Sequence, residues 1–487
     1  MATRFILTQS FATSEEVMTL ITNNDESLMR LLTYGIAEAG ASATAGTFAV
    51  QDSDFAGFKV AITGSGLTYD SAGRVQTGTI DSIDFLNPTG TVVGTMRAET
   101  GGLGLDVAGY LAVRSSGSLM PDYFGPVPIT FDASGTGAPL YPWQVAVHFN
   151  AGFGADSLIG SAYADALSGG HGHDTVRGGG GADVIYGDEI GVTIVGFDET
   201  GNDRLYGEDG ADVIYGNAGD DKLYGGAGDD FLVGDLIGDA GNDTLYGGAG
   251  DDRLWGGLGS NLLDGGTGYD RITQHLPQSG DFILRVNLAT GQMSGLGTHK
   301  LVSVEGVSGA QVQSNVLTGN RGSNGLIGGI KDDTLSGGLG NDRLQGLQGN
   351  DRLNGGGGAD LISGGAGLDT LIGGGGADRF VFGESGAADA DRITDFQHGI
   401  DKILMTYNLL PGNPAGTLAD AAFRRIGSGS VDADDRVLYN RASGEIFLDG
   451  DGSGVMAPVL LARVDAGTTL GASDFQIVAA TDLLIFL

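Results

Sequence analysis

The chain has 487 residues, and its 61 Asp and Glu against 25 Lys and Arg give a formal net charge of −36. This balance argues against DNA or RNA as a partner, because phosphate contacts need clustered Lys and Arg. There are no cysteines and no run of about 18 apolar residues, so the sequence predicts neither disulfides nor a transmembrane segment.

Residues 1–149 contain no repeat and are predicted to form a mixed helical and β-rich interaction domain. A helix is expected over residues 14–38, where Glu15 and Glu16 fall in the first turn. Strands are expected from Thr47 onward. This domain is expected to set the specific function, but its motifs identify no partner.

Nine-residue units dominate the middle of the chain, with twelve between residues 151 and 273 and eight between 310 and 381. Clear copies are GGAGDDRLW at 247–255 and GGLGNDRLQ at 337–345. Glycine at positions one, two and four allows a tight turn, and position six is Asp. Positions seven to nine are predicted to form a three-residue strand whose apolar position eight faces inward in all twenty units.

Two units make one coil of about eighteen residues, so stacked coils bring one position-six Asp over the next. These carboxylates and the glycine-turn carbonyls would supply the six or so oxygen ligands that suit calcium better than magnesium. The candidate metal ligands are Asp156, Asp165, Asp174, Asp183, Asp203, Asp212, Asp221, Asp230, Asp243, Asp252, Asp270, Asp333, Asp342, Asp351, Asp360, Asp369 and Asp378.

The units resemble the GGxGxDxUx repeat of the RTX (repeats-in-toxin) family, whose repeats form calcium-bound parallel β-rolls. The resemblance implies a mainly β fold and multiple bound Ca²⁺ ions. A right-handed parallel β-roll would form in two blocks, 150–273 and 310–381, between the N-terminal domain and a β-rich C-terminal cap. A disordered Gly/Asp linker is the alternative, but such a linker has no reason to keep an apolar residue at every ninth position.

Several departures from the repeat predict weak points in the roll. Asn261, Asn315 and Asn324 replace the Asp, so their turns are expected to bind calcium weakly or not at all. Insertions at 187–197 and 234–237 are expected to interrupt the stack. Residues 274–309 are expected to form a β insert or hairpin between the two blocks.

Residues 382–487 resemble the C-terminal module that follows RTX repeats in type I secreted proteins, and they are expected to cap the roll. Asp482 precedes a terminal apolar run that resembles the uncleaved signal read by type I exporters, although an ordinary last strand would also fit. The N-terminus shows no Sec signal peptide. The resemblance therefore implies a bacterial protein that is secreted, extracellular or held at the cell surface. Residues 449–454 suggest an EF-hand loop, but Leu460 stands where the loop needs Glu, so a turn is favoured.

No enzyme motif is convincing. None of the six histidines lies in HExxH, the nearest approach to GxSxG is the segment 306–310, and no nucleotide fingerprint follows a strand. His171 and His173 are predicted to be solvated turn side chains rather than metal ligands. Outward-facing Tyr206, Tyr224 and Tyr246 are predicted to form one column, which could bind sugars or a neighbouring subunit, or could simply suit a strand surface.

The leading interpretation is a non-enzymatic surface-layer, matrix, filament or adhesin component that folds on binding extracellular calcium. Each site adds roughly 1.4 kcal/mol when calcium is about ten times Kd. Its partners would be calcium, the type I secretion machinery, and either further copies of the chain or surface glycans. The alternative is an extracellular polysaccharide-acting enzyme with its catalytic site in residues 1–149.

Overall fold

A computed structural model describes the strand backbones of the first 150 residues and residues 155–479. Within the second range the short segments 161–163, 189–200, 237–239, 274–281, 296, 384, 387, 411–413, 428–431 and 453–456 are not described. The chain divides into two compact units, Met1–Gly268 and Tyr269–Leu487. Each unit is described by itself.

The first unit opens with nine strands. They are β1 Thr3–Leu7, β2 Ile36–Ala37, β3 Ala45–Ala49, β4 Lys59–Tyr69, β5 Val75–Leu86, β6 Val92–Ala98, β7 Leu105–Asp106, β8 Ile129–Asp132 and β9 His148–Asn150. Strands β2 to β6 pair antiparallel in chain order. The predicted helix is wrong at its C-terminal end, because residues 36–37 form a strand paired with β3. Residues 14–35 lie outside the described part.

The repeats of the first unit form two parallel sheets. Their strands are β10 Ser157–Ile159, β11 Ala166–Ser168, β12 Thr175–Gly180, β13 Val184–Tyr186, β14 Arg204–Asp209, β15 Val213–Tyr215, β16 Lys222–Ala227, β17 Phe231–Val233, β18 Thr244–Ala249, β19 Arg253–Trp255 and β20 Leu262–Thr267. Even-numbered strands form sheet A and odd-numbered strands form sheet B. Successive strands of the chain therefore alternate between sheets, as the eighteen-residue coil requires.

The core of the roll is the apolar position eight. Leu158, Val176 and Leu205 stand in register in sheet A, and all twenty position-eight side chains in the two units are 1% exposed or less. Many strands are longer than the three residues predicted: Thr175–Gly180 and Arg352–Gly357 continue into the first three positions of the next turn.

The roll begins before the first recognisable repeat. Strand β8 pairs parallel with β10, with Phe131 opposite Leu158, and β9 pairs parallel with β11, with Phe149 opposite Leu167. A coil without the glycine-aspartate turn is invisible to a search for that turn, so β8 and β9 were not recognised as roll strands from the sequence.

The two insertions do not interrupt the stack, and the prediction that they would is wrong. Thr175 of β12 pairs directly with Arg204 of β14, and Lys222 of β16 with Thr244 of β18. Each insertion falls inside a turn, between positions two and four. Lengthening a turn costs little loop-closure entropy, so the strands on either side keep their register.

The repeats of the second unit also form parallel strands. Its first strands are β21 Arg271–Thr273, β22 Ile283–Asn287, β23 Gln292–Ser294, β24 Thr298–Val302, β25 Gly306–Ser308, β26 Ser314–Thr318, β27 Gly325–Gly329, β28 Thr334–Leu339, β29 Arg343–Gln348, β30 Arg352–Gly357, β31 Leu361–Ala366, β32 Thr370–Gly375 and β33 Arg379–Phe382. Within the predicted β insert, β22, β23 and β24 pair antiparallel. Strands β22 and β25 also pair parallel with β26 and β27, so the insert contributes strands to the roll.

The remaining strands are β34 Asp391–Ile393, β35 Lys402–Thr406, β36 Gly416–Thr417, β37 Phe423–Arg425, β38 Val437–Asn440, β39 Glu445–Leu448, β40 Val459–Arg463 and β41 Phe475–Val478. Short 3₁₀ helices span Asp420–Ala422 and Ala472–Asp474. Strands β34 and β35 pair parallel with β32 and β33, so this region lies on the end of the roll. In the part of the chain that the structure describes, no helix has the length and apolar character needed to cross a membrane.

Replacing Leu205 by Ala is expected to destabilise the calcium-loaded protein by about 2–5 kcal/mol, because Leu205 is fully buried between neighbouring coils. Thermal unfolding in excess calcium measures the loss. Lys222→Ala, at an exposed outward position of the next strand of the same sheet, should change stability by less than about 0.5 kcal/mol. Equal shifts for the two variants would contradict this description of the core.

Candidate metal centre

The position-six aspartates line the turns in two rows per unit. In the first unit, row A precedes the strands of sheet A and holds Asp156, Asp174, Asp203, Asp221, Asp243 and Asn261, while row B precedes sheet B and holds Asp165, Asp183, Asp212, Asp230 and Asp252. In the second unit, one row holds Asn315, Asp333, Asp351 and Asp369, and the other holds Asn324, Asp342, Asp360 and Asp378. Asp270 precedes β21, and its backbone N–H donates to Glu305 of the insert. All seventeen predicted ligands are at most 3% exposed.

One carboxylate oxygen of most of these Asp residues links neighbouring coils. Asp221 Oδ1 accepts the backbone N–H of Asp203 at 2.8 Å, eighteen residues earlier. The pattern continues across both insertions, since Asp203 accepts from Asp174 at 2.8 Å and Asp243 from Asp221 at 3.0 Å. The side chain at position six is therefore a backbone clamp as well as a charge.

The other carboxylate oxygen, Oδ2, is buried and has no hydrogen-bond partner in twelve of these side chains. They are Asp174, Asp183, Asp203, Asp212, Asp221, Asp230, Asp243, Asp342, Asp351, Asp360, Asp369 and Asp378. Burying an anionic oxygen without a partner is costly. A repeated cost of this kind indicates that a cation completes the site.

The glycine at position one leaves the space for that cation. A Cβ atom at Gly346 would lie against Asp351 Oδ2 and the carbonyl oxygen of Gly364, and a Cβ atom at Gly207 would meet Asp212 Oδ2 and the carbonyl oxygen of Gly225. Each such recess lies between two successive turns and is lined by oxygen. The residues present therefore fit a hard cation such as calcium.

Burial also perturbs the acidity of these groups. Desolvation raises the pKa of Asp203 to about 9, with the like charges of Asp221 and Asp174 adding to the shift, and it raises the pKa of Asp351 to about 8. A raised pKa means that folding disfavours the ionised form: the penalty is absent below the unfolded value near 3.8 and grows as pH rises toward the folded value. At neutral pH a bound cation removes this penalty.

Backbone carbonyls must supply most of the ligands. Among the described residues, no three acidic or histidine side chains converge closely enough to hold a metal ion on their own. Calcium takes six to eight oxygens in flexible geometry. The glycine-rich turns present carbonyl oxygens at each recess, so one or two carboxylates per ion are sufficient.

In the three turns that have Asn at position six, the Asn side chain donates hydrogen bonds to backbone carbonyl oxygens. Asn261 Nδ2 donates to the carbonyl of Leu258 at 2.9 Å, and Asn315 Nδ2 donates to the carbonyls of Ala310 and Gln313 at 3.1 and 3.2 Å. Asn324 Nδ2 donates to the carbonyl of Glu305 at 3.1 Å. An amide N–H thus meets carbonyls of the turn region, which gives a physical reason for the prediction of weak or absent calcium binding there.

Two aspartates at the end of the roll were missed from the sequence. Asp391 Oδ1 accepts the backbone N–H of Asp369, and Asp401 Oδ1 that of Asp378, both at 3.0 Å. Each begins a D-x-Ile triplet whose isoleucine is fully buried, at Ile393 and Ile403. This triplet could have identified both residues from the sequence. A search for nine-residue units misses it, because the two Asp lie 22 and 23 residues after the preceding Asp of their rows.

A second set of bonds was also missed. At position five, Asn202 Oδ1 accepts the backbone N–H of Asp220 at 2.8 Å, and Asp220 Oδ1 accepts that of Asn242 at 2.7 Å. In the second unit Asn341 Oδ1 accepts from Ala359 at 2.8 Å. These bonds run in the opposite direction to those at position six, so successive turns are bonded reciprocally. The recurrence of Asn and Asp at position five was the signal.

The other candidate residues have structural positions. His171 is 4% exposed, so the prediction of a solvated side chain is wrong there, whereas His173 is exposed and its Nδ1 accepts the N–H of Asn202 at 2.7 Å. The 306–310 segment includes β25, with Val307 in the roll core. Residues 449–452 follow strand β39 without helix and include a bend at 450–452, in line with the favoured turn interpretation, and residues 453–454 lie outside the described part.

The tyrosine column is confirmed. The ring centroids of Tyr206 and Tyr224 lie 4.7 Å apart with planes at 5°, and those of Tyr224 and Tyr246 lie 5.0 Å apart at 13°. The guanidinium carbon of Arg177 lies 4.2 Å from the ring centroid of Tyr206. Each inner ring face is thus covered by its neighbour.

Comparison with known families matches the RTX calcium-binding nonapeptide repeat (four copies) at residues 150–188, 198–232, 237–272, 318–353, 327–362 and 354–384. A search of curated proteins finds no match. Among solved structures, the AlgE6R3 subunit of the Azotobacter vinelandii mannuronan C5-epimerase is 27% identical over 34% of this chain and 80% of its own, with a TM-score of 0.15. The extracellular lipase LipA of Serratia marcescens is 14% identical over 90% of this chain and 84% of its own, with a TM-score of 0.20. With TM-scores this low, neither likeness bears on the function of this chain.

Asp351→Asn is expected to remove about one bound calcium, because the amide keeps an acceptor for Asp333 N–H but loses the charge beside the Gly346 recess. Calcium stoichiometry by equilibrium dialysis tests this. Asp332→Asn is the matched control, since Asp332 is exposed and its Oδ1 accepts only N–H groups of Asn350, from the backbone at 2.8 Å and from Nδ2 at 3.4 Å, which an Asn oxygen can also accept. Equal stoichiometry for both variants and the unaltered protein would contradict the assignment.

Gly346→Ala is expected to weaken calcium binding at the same recess by filling it. Gly375→Ala is the control, because a Cβ atom at Gly375 has no other atom within 4 Å. Calorimetric titration compares the two variants. If Gly346→Ala binds calcium as the control does, the ion does not lie between Gly346 and Gly364.

Proposed function

Since this chain is an RTX protein whose nonapeptide repeats bind calcium in multiple copies, we propose that it is a secreted structural or adhesive component. It would serve the cell surface or extracellular matrix, as part of a surface layer, filament or biofilm. It folds, and assembles, when it meets extracellular calcium. It has no enzymatic activity, and type I secretion machinery exports it.

The buried, unpartnered Oδ2 atoms of the position-six aspartates carry this proposal. The roll has only one core residue in every nine, and ordering its many glycines costs conformational entropy. Its rows of aspartates also repel one another, so the chain without cations should not fold at neutral pH. Extracellular calcium-binding modules work at Kd values of about 10⁻⁴–10⁻³ M. At the far lower calcium level of a cytosol, such sites stay empty and the chain remains in an exportable state.

The rolls then act as calcium-set spacers. Neighbouring coils are joined by parallel strand pairing and by the position-six bonds, and many of them also by position-five bonds. Such stacking makes a quasi-one-dimensional element. The N-terminal region would make the specific contacts with further copies or with surface glycans. The predicted export signal at 482–487 lies outside the described residues.

A polysaccharide-acting enzyme is the second candidate, and the tyrosine column is the observation that would favour it. Sugars stack on open aromatic faces, but the inner faces of this column are covered by neighbouring rings, and Arg177 lies over Tyr206. The column therefore supports strand stacking better than glycan binding.

The His398–Asp474 pair is a further feature that an enzyme would need to explain. His398 Nδ1 lies 2.6 Å from Asp474 Oδ2, and Asp474 also accepts the backbone N–H groups of Gly399 and Gly471 at 3.0 and 2.8 Å. A buried carboxylate that holds two backbone groups ties the turn at 397–401 to the 3₁₀ helix at 472–474. This role needs no reaction.

Light scattering after size exclusion, in EGTA and in millimolar calcium, tests the proposal on the full chain. Calcium-dependent growth into particles much larger than 49.4 kDa is expected. A protein that stays monomeric at every calcium concentration and cleaves or modifies an extracellular glycan would overturn the proposal and support the enzyme.

A further inference from the structure

The two lengthened turns of the first unit share an unusual residue. Both begin with Gly-Asp and end with Gly-Asn-Asp, so Asp188 and Asp235 occupy position two, where most turns have glycine. Both turns belong to row A and are alternate members of it. The intervening turn, 216–221, has Asn217 at the same position. Three polar side chains therefore follow one another along one edge of the roll.

These side chains are buried. Asp188 is 3% exposed, Asn217 5% and Asp235 0%. Asp188 Oδ1 and Asn217 Oδ1 have no hydrogen-bond partner, and no described Lys, Arg or His forms an ion pair with Asp188. An ionised carboxylate in this setting needs a counter-charge.

The hydrogen bonds of Asp188 place it between two turns. Its Oδ2 accepts the backbone N–H of Ala218 in the next turn at 3.2 Å, and Asn217 Nδ2 donates to its carbonyl oxygen at 2.9 Å. The gap that Asp188 spans is the one that holds a cation recess, lined by Asp203 Oδ2 and the carbonyl oxygen of Gly216.

Asp235 is placed in the corresponding way one turn further on. Its Oδ2 accepts the N–H of Gly241 in its own turn at 2.9 Å, and a Cβ atom at Gly257, in the following turn, would touch Asp235. The recess at that level is lined by Asp243 Oδ2 and the carbonyl oxygen of Gly256. Burial is the main cause of the raised pKa values of Asp221 and Asp243, and like-charge repulsion from Asp235 adds to both shifts, so Asp235 lies within electrostatic reach of the two carboxylates.

Glu208 shows that an acidic residue at position two is not sufficient. It lies in row B, its side chain is 43% exposed, and it pairs with Arg177 at 2.9 Å. Its charge is solvated and already compensated by a cationic side chain.

We propose that Asp188 and Asp235 are additional calcium ligands, each adding a carboxylate to an ion held between successive turns of row A. The nonapeptide unit itself supplies no ligand side chain at position two. Calcium affinity rises with the number of charged ligands, so these sites are the tightest in the protein and fill first. The first unit therefore begins to fold around strands β14, β16 and β18.

Calcium affinity measured by competition with a chromophoric chelator tests the assignment on the full chain. Asp188→Asn and Asp235→Asn retain the shape and an acceptor oxygen, and each is expected to weaken the tightest class of sites roughly tenfold. Glu208→Gln, the same change of charge at the same turn position, should leave that class unchanged.

If Asp188 does not contact the ion, the Asp188→Asn variant should change calcium affinity in the opposite direction. If Asp188 were a buried charge that no ion contacts, Asp188→Asn would relieve repulsion from its acidic neighbours and leave calcium binding unchanged or make it tighter. Either of those results overturns the proposal.

Hydrogen exchange of the unaltered protein gives a test that does not depend on any variant folding. As free calcium rises, the amides of β14, β16 and β18 should become protected at a concentration roughly tenfold lower than those of β28, β30 and β32 in the second unit. Protection of both groups at the same concentration, or of the second unit first, would overturn the proposal.

Discussion

In our proposal, the roll depends on the neutralisation of buried aspartates by a cation between successive turns. The position-six carboxylates stand one above another at the spacing of neighbouring strands, and each is almost fully buried. A single apolar residue per nine provides too thin a core to hold such rows together against their own repulsion. We therefore propose that the ion is a structural element, as necessary to the fold as the strands that it joins.

Most position-six aspartates divide their two oxygens between two tasks. At Asp212, for example, Oδ1 accepts the backbone N–H of Asp183 in the preceding coil, and Oδ2 faces the recess beside the position-one glycine Gly207. Asparagine can perform the first task but not the second, and at Asn261 its amide group instead meets a turn carbonyl. An Asn at position six therefore removes the charged ligand from its turn but leaves the coil intact. In the second unit, Asp391 and Asp401 extend the two rows of stacked aspartates into the C-terminal region.

The sequence alone predicted the parts of the structure that repeat. Position-eight side chains such as Leu205 and Ile362 form the core, and the aspartates stack at the predicted spacing, because a strict nine-residue period leaves little freedom. It did not predict the coil formed by β8 and β9, which lacks the turn signature, nor the unbroken stack across the insertions. Asp188 was missed for a related reason: its burial depends on the neighbouring turn, whereas a motif search reads each turn alone.

If cations hold the roll together, calcium should control whether the chain has β structure at all. Far-UV circular dichroism at neutral pH, from excess EGTA to millimolar calcium, tests this most directly. The account predicts a mostly unordered spectrum in EGTA and a cooperative gain of β signal as calcium is added. Full β content in EGTA, unchanged by calcium, would contradict it.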